Sequence, residues 1–326
     1  MEDSVKNNIA LNEITVKILT ELDITSFNEL LKRAGSIDTL QILKPCMYRM
    51  ANNSILIAKQ GGNLKGDGPE AVGTMFLLGH SAVCGPESTD IEVKEKGIIV
   101  TTHDCPFKNA PTELCGIVSH IMGDAFCDIL AKDHEMIWAY HLTEGDPYCL
   151  AVIKKKGEPF SDINALGKTI ATFPKVNLPK EQQLQIAAFL ISNYWSSITE
   201  VFVEKYGSDK AIEVLGSNAG QIGRGAGAYL MQSGMVKQKD LTSAAQLIDT
   251  FGRGSMQQGN VVSSSSMQYS KEIVECPFKT MPKEVCKQFE SFFNGVCQAV
   301  NPNLQFKYSK MMTAGDQSCL WSVTKK

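Results

Sequence analysis

No apolar run in this 326-residue chain reaches the roughly 18 residues that would carry it across a bilayer. It also lacks an excess of basic charge. Its 32 Lys and Arg stand against 35 Asp and Glu, leaving a formal charge of −3, so there is no global positive field for nucleic acid. The opening MEDSVKNNIALNE lacks the basic-then-apolar order of an export signal. CxxC pairs are absent, and so is any histidine after position 141. These absences set the expectations: a cytoplasmic chain, no nucleic-acid partner and no membrane partner. With 43% hydrophobic and 21% charged residues, it reads as globular rather than disordered or fibrous. The length suggests about two domains.

Cysteine, by contrast, is plentiful. Ten are present, and in a reducing compartment they read as buried thiols, metal ligands or nucleophiles rather than as a disulfide framework. Their order repeats. CPFKNAPTELC at 105–115 is matched by CPFKTMPKEVC at 276–286, and EGDPYCL at 144–150 by AGDQSCL at 314–320. Cys105, Cys115, Cys127 and Cys149 thus pair with Cys276, Cys286, Cys297 and Cys319. The offset is 171 residues for the first two pairs and 170 for the last two. One residue slips between the second and third cysteines. This pattern reads as a tandem duplication, with halves at 1–157 and 158–326.

Each half fits one order of elements. Helical periodicity covers 16–33 and 37–58, and a Gly-rich loop then leads to a helix over 69–81. Strands are expected at 91–94 and 97–102, a helix at 111–130, and a hairpin at 137–153 turning on Glu144-Gly145-Asp146. The second half repeats the series, with helices near 181–203, 208–233, 239–251 and 282–299. The expected class is α+β, each module carrying N-terminal helices and a small antiparallel sheet packed on a helix.

Several side chains are candidates for chemistry. Cys115 and Cys286 lie early in a predicted helix, where the dipole favours a thiolate. Cys149 and Cys319 begin a strand after the Gly-Asp turn. All five histidines lie in the first half, so only that half joins imidazole to thiol, as zinc or a Cys/His nucleophile requires. His141 shares a hairpin with Cys149; the matching residues are Met311 and Cys319. Candidate catalytic residues are Cys149, His141, Cys319 and Asp146, although Asp146 and Asp316 also suit hairpin capping. Gly220, Gly223 and Gly227 read as a small-residue packing face, not a phosphate loop. Ser263–Ser266 reads as a polar edge strand or loop. Trp138, Tyr140 and Tyr308 read as walls of a core or pocket.

The CPF segment, the Pro-x-x-x-Cys helix start and the Gly-Asp-x-x-Cys ending resemble the L-2-amino-thiazoline-4-carboxylic acid hydrolase-like family. So does Val203-Glu-Lys-Tyr-Gly-Ser-Asp-Lys-Ala-Ile-Glu-Val-Leu, followed by Gln221-Ile-Gly-Arg. The resemblance runs over about 198–326, with the first half a diverged copy. It implies hydrolysis of a C–N bond in a small cyclic amidine. A more distant similarity, to the four-vinyl reductase domain, implies a small-molecule sensor. It also implies zinc held by Cys115, His141 and Cys149, and Cys105 is a fourth candidate ligand. Trp138 stands where such a domain has a carboxylate. A cysteine-ligated iron–sulfur cluster is a further alternative. A small-molecule substrate or ligand is the expected partner, with a homodimer as a further expectation.

Overall fold

A computed structural model describes residues 2–234 and 238–326. The protein is α+β. Helix α1 (Glu2–Ala34) is followed by α2 (Ser36–Gln60) and α3 (Pro69–Val83), then strands β1 (Thr89–Lys94) and β2 (Gly97–Thr102). A helix begins as α4 (Thr112–Cys115), passes through a π-helical turn, Gly116–Ile121, and continues as α5 (Met122–Leu130). Strands β3 (His134–Tyr140), β4 (Cys149–Lys155) and β5 (Thr169–Thr172) complete the first sheet. The chain continues through α6 (Lys180–Tyr206), α7 (Ser208–Gln232) and α8 (Leu241–Gly254). It ends with β6 (Gln258–Ser264), β7 (Gln268–Glu275), α9 (Lys283–Val300), β8 (Leu304–Lys310) and β9 (Cys319–Lys325).

Both sheets are antiparallel, in orders β3-β4-β2-β1-β5 and β6-β7-β9-β8. In the first, Thr102 of β2 pairs with Cys149 of β4; in the second, Ile273 of β7 pairs with Cys319 of β9. Each hairpin before its cysteine carries an irregularity at a matching place, between Trp138 and Tyr140 and between Tyr308 and Lys310. The Ser263 run lies on edge strand β6, as its polarity suggests.

Glycine sets two recurring breaks. Gly35 and Gly207, at φ 79° and 86°, separate α1 from α2 and α6 from α7. Gly145 and Gly315, at φ 90° and 98°, close the hairpin turns. Side chains adopt this left-handed region only at a cost.

The chain divides into two compact units that differ from the halves 1–157 and 158–326. One, here the first unit, is Ala34–Ala187; the second is Ala188–Lys326 together with α1 as far as Arg33. The reason lies on both sides of the expected boundary. Residues beyond 157 complete the first sheet, because β5 pairs with β1. Phe160, Ile163 and Leu166 cover Ile99, Leu150 and Val152 on that sheet. Conversely, α1 belongs to the second unit. The fully buried Trp195 donates its indole N–H to Ser26 Oγ (3.1 Å) and Gln288 Oε1 (3.0 Å), and the Arg33 guanidinium lies over the Phe202 ring at 5.8 Å.

The small-residue face of α7 meets α9. A Cβ on Gly223 would lie 2.0 Å from the Phe292 carbonyl oxygen, and one on Gly295 would lie 2.2 Å from that of Gly220. The glycines bring two helix backbones together, as expected. Helix α6 differs from the sequence expectation. By length and composition it could cross a membrane, although 61% of its most apolar 18-residue window is buried within the protein.

Candidate functional site: thiols and imidazoles of the first unit

Two ends of the first sheet's hairpin organise the site. Leu142 N–H donates to Cys149 Sγ at 3.2 Å, and the next residue, Thr143, donates its hydroxyl to Cys115 Sγ at 3.4 Å. One turn therefore holds both the helix thiol and the strand thiol, which sequence spacing alone leaves apart. Asp146 fixes that turn by accepting from His141 N–H at 2.8 Å. Asp316 does the same for Met311 N–H at 2.7 Å, and Met312 N–H donates to Cys319 Sγ at 3.2 Å. The Asp146 carboxylate is engaged with backbone, as hairpin capping requires.

Cys105 and Cys84 lie within electrostatic reach of Cys149, and Cys105 also within that of Cys115. The matching trio in the second unit is Cys276, Cys286 and Cys319, with the Tyr308 phenol beside them. Cys127 and Cys297 take no part; they are buried in the core.

The thiols are not the activated nucleophiles that the helix start suggests. Burial pushes Cys115 up to about 11 and Cys286 up to about 12. It also raises Cys149 and Cys319. Desolvation of the charged form outweighs the helix dipole, which acts mainly within the first turn. Cys105 is different: its pKa is lowered, first by a hydrogen bond from the Cys84 thiol, which is itself raised.

Three of the five imidazoles, His80, His120 and His141, gather around Phe76 and Trp138. His120 stacks on Trp138 with ring centroids 5.3 Å apart and planes 6° from parallel. His141 stacks on His120 at 4.9 Å and on Trp138 at 5.8 Å. Phe76 of α3 packs edge-on against Trp138 and against His80. His80 Nδ1 lies 2.9 Å from Thr102 Oγ1. Burial lowers both His80 and His120 to about 4, so both rings are neutral at physiological pH. His120 Nε2 and Trp138 Nε1 are buried without a hydrogen-bond partner among the described residues.

The π turn explains why His120 is there. Twelve positions separate Cys115 from Cys127, but eleven separate Cys286 from Cys297. The extra residue is absorbed as the π turn Gly116–Ile121, whereas α9 runs through unbroken. A single-residue bulge of this kind re-aims the side chains of its turn and is frequent at functional sites.

The expected site is thus only partly assembled. Cys115 and Cys149 meet at one turn, but among the described residues no imidazole hydrogen-bonds to a cysteine sulfur. His141 is stacked on aromatic rings instead. Among the described residues, no three His, Cys, Asp or Glu side chains form a group that could hold a metal ion. The donor set Cys105, Cys115, His141 and Cys149 does not fit zinc or a cluster as it stands. Tyr140 is exposed rather than a wall residue. His80, His120 and Cys84 are the residues that sequence reasoning missed. For His120 the signal was present, in the one-residue slip between paired cysteines.

No family model, curated protein or solved structure matches the chain.

Proposed function

We propose that the chain binds a small, neutral, planar molecule at the His120–Trp138–His141 stack of the first unit, as a ligand-binding or sensing protein. The carrying observation is the pair of buried ring nitrogens, Trp138 Nε1 and His120 Nε2, left without partners. An unpaired buried polar group costs about 1–3 kcal/mol. A ligand that presents an acceptor to the indole N–H recovers that cost. Burial keeps His80 and His120 neutral and the Cys115 and Cys149 thiols protonated, which favours an uncharged ligand. The flat stack favours an aromatic or heterocyclic ring. The two tandem copies would then have diverged, with the second keeping Tyr308 at the Trp138 position and no histidine.

The hydrolytic reading is supported by one observation, the lowered Cys105 thiol. Its nucleophile would be Cys105 rather than Cys149 or Cys319, whose thiols burial keeps protonated.

One experiment separates the two. The full chain is titrated with 2-aminothiazoline-4-carboxylate and a panel of neutral bicyclic heterocycles, following melting temperature, tryptophan fluorescence and product release. For the binding reading, a neutral ring raises Tm and quenches Trp138 without turnover, and His120→Ala abolishes both effects. Turnover that disappears in Cys105→Ser but survives His120→Ala replaces it with the hydrolase reading. A panel that leaves both Tm and fluorescence unchanged rejects the stack as a ligand site.

A further inference from the structure

The two sheets share a plan of four strands but differ at one edge. Taken from the cysteine hairpin outwards, the first runs β3-β4-β2-β1 and then β5, whereas the second runs β8-β9-β7-β6. Strand β6 thus stands where β1 stands, and among the described residues no strand covers its outer edge. The cover that β1 receives shows what such an edge accepts. Strand β5 pairs antiparallel with it, Thr172 opposite Glu92 and Ala171 opposite Val93. The covering segment also meets the charges of β1. Thr169 donates its hydroxyl to Glu92 Oε2 at 2.8 Å, and the Lys175 ammonium lies 2.8 Å from Asp90 Oδ1.

Strand β6 is chemically different. An open edge presents a row of N–H and C=O groups that recruits another strand, and proteins guard it with charge or proline. Strand β6 has neither: it reads Gln-Gly-Asn-Val-Val-Ser-Ser. From Gly254 to Ser270 the chain carries no charged residue and no proline, although 21% of its residues are charged. Val261 and Val262 are 53% and 60% exposed. The pairing of β6 with β7 shifts at two places, and the residues skipped there are Val262 and Val274, both exposed. Such shifts do not close an edge in this fold, because the ladder between β1 and β5 also shifts, between Val93 and Lys94.

We infer that β6 pairs antiparallel with β6 of a second copy of this chain, about a two-fold axis near Val261, joining the two four-stranded sheets edge to edge. Main-chain hydrogen bonds supply the contact, as in strand addition generally. Charge selects the occupant. The segment over β1 answers Asp90 and Glu92 with Lys175 and Thr169. A charged strand laid on β6 finds no counter-charge along it, whereas a second β6 brings only Gln, Gly, Asn, Val and Ser. The antiparallel register sets Val261 against its own copy, so the exposed valines shed water at the centre and the polar residues lie towards the rim. One self-complementary contact uses both open β6 edges, so this assembly closes at two chains.

The test is sedimentation of the full chain over a range of concentrations, paired with hydrogen exchange of its backbone amides. The expected result is a reversible dimer in which the β6 amides exchange at least about tenfold more slowly than in the diluted monomer. Val261→Lys sets like charges across the axis and should raise the dimer Kd at least about tenfold. The monomer's Tm should hold, because that side chain is exposed. Ile170→Lys, on the exposed outer strand of the first sheet, should leave the dimer intact. A chain that is monomeric at every concentration overturns the inference. So does a dimer whose β6 amides exchange as fast as the monomer's, or one that Ile170→Lys dissociates as fully as Val261→Lys. An acetylated and amidated Thr-Ile-Ala-Thr peptide that protects β6 in a chain that stays monomeric replaces the second copy with a peptide partner. The wild-type exchange pattern decides the edge even if the lysine variant fails to fold.

Discussion

Asp23 shows how far a single residue can depart from the pattern around it. It sits on α1 with 0% exposure, and both carboxylate oxygens lack a partner among the described residues. Burial raises its pKa well above the usual carboxylate value. A raised folded pKa means that the unfolded chain ionises first. Stability is therefore present in acid and falls as pH rises through the window between the two pKa values. His80 works in the opposite direction. Its folded pKa, about 4, lies below the ordinary 6.5. Its stability is present above 6.5 and is lost as pH falls from about 6.5 towards 4. Urea midpoints measured from pH 4 to 8 should therefore change in both variants. Asp23→Leu should gain about 2 kcal/mol at pH 7. His80→Phe, which places the residue found at Phe251 in the matching position, should flatten the acid limb by about one proton. An Asp23→Leu variant less stable than wild type at pH 7 would show that the carboxyl has a favourable role.

At the scale of elements, the crossing of α7 and α9 and the π turn teach opposite lessons about insertions into a helix. The crossing tolerates nothing extra. Gly223→Ala forces its methyl onto the Phe292 backbone and should cost about 3 kcal/mol or more. Gly225, on the same helix, has open space around it. Gly225→Ala should gain up to about 1 kcal/mol through helix propensity and unfolded-state entropy. Opposite signs in chemical denaturation confirm the close approach; a matched gain at both positions would mean that the helices stand apart. The π turn, in contrast, absorbs a whole residue. It can do so because one weakened turn rearranges locally while α5 resumes its register, with Phe126 and Cys127 buried. The turn thereby brings His120 to Trp138.

For the whole molecule, the compact units cut across the repeat. Helix α1 buries Leu19, Leu22, Phe27 and Leu30, and it does so in the unit that contains Ala188–Lys326. A fragment spanning 1–157 would expose that apolar face and lose β5, Ile163 and Leu166. A fragment spanning 34–187 keeps its sheet complete. Expressed separately, 34–187 should give dispersed amide resonances and a cooperative melt, and 1–157 should aggregate. Cooperative folding of 1–157 alone would return the boundary to the position suggested by the repeat.

The sequence by itself determined most of the elements and their order, but not β5 or the π turn. Periodicity marked the helices and strands, Glu144-Gly145-Asp146 marked a hairpin turn, and Gly220, Gly223 and Gly227 marked a close helix crossing. These are local or short-range properties, written in spacing and in the conformational freedom of single residues. The sequence also singled out Cys115 and Cys149, which the structure brings to one turn. Only the tertiary structure decided what those thiols are. Their protonation follows from burial, and burial depends on residues far away in the chain. The same holds for the stack. His120, Trp138 and His141 lie on a helix and a hairpin whose packing no local pattern encodes. Which unit owns α1 was likewise decided by where its apolar face is covered, a contact at a separation of about 170 residues that sequence periodicity does not specify.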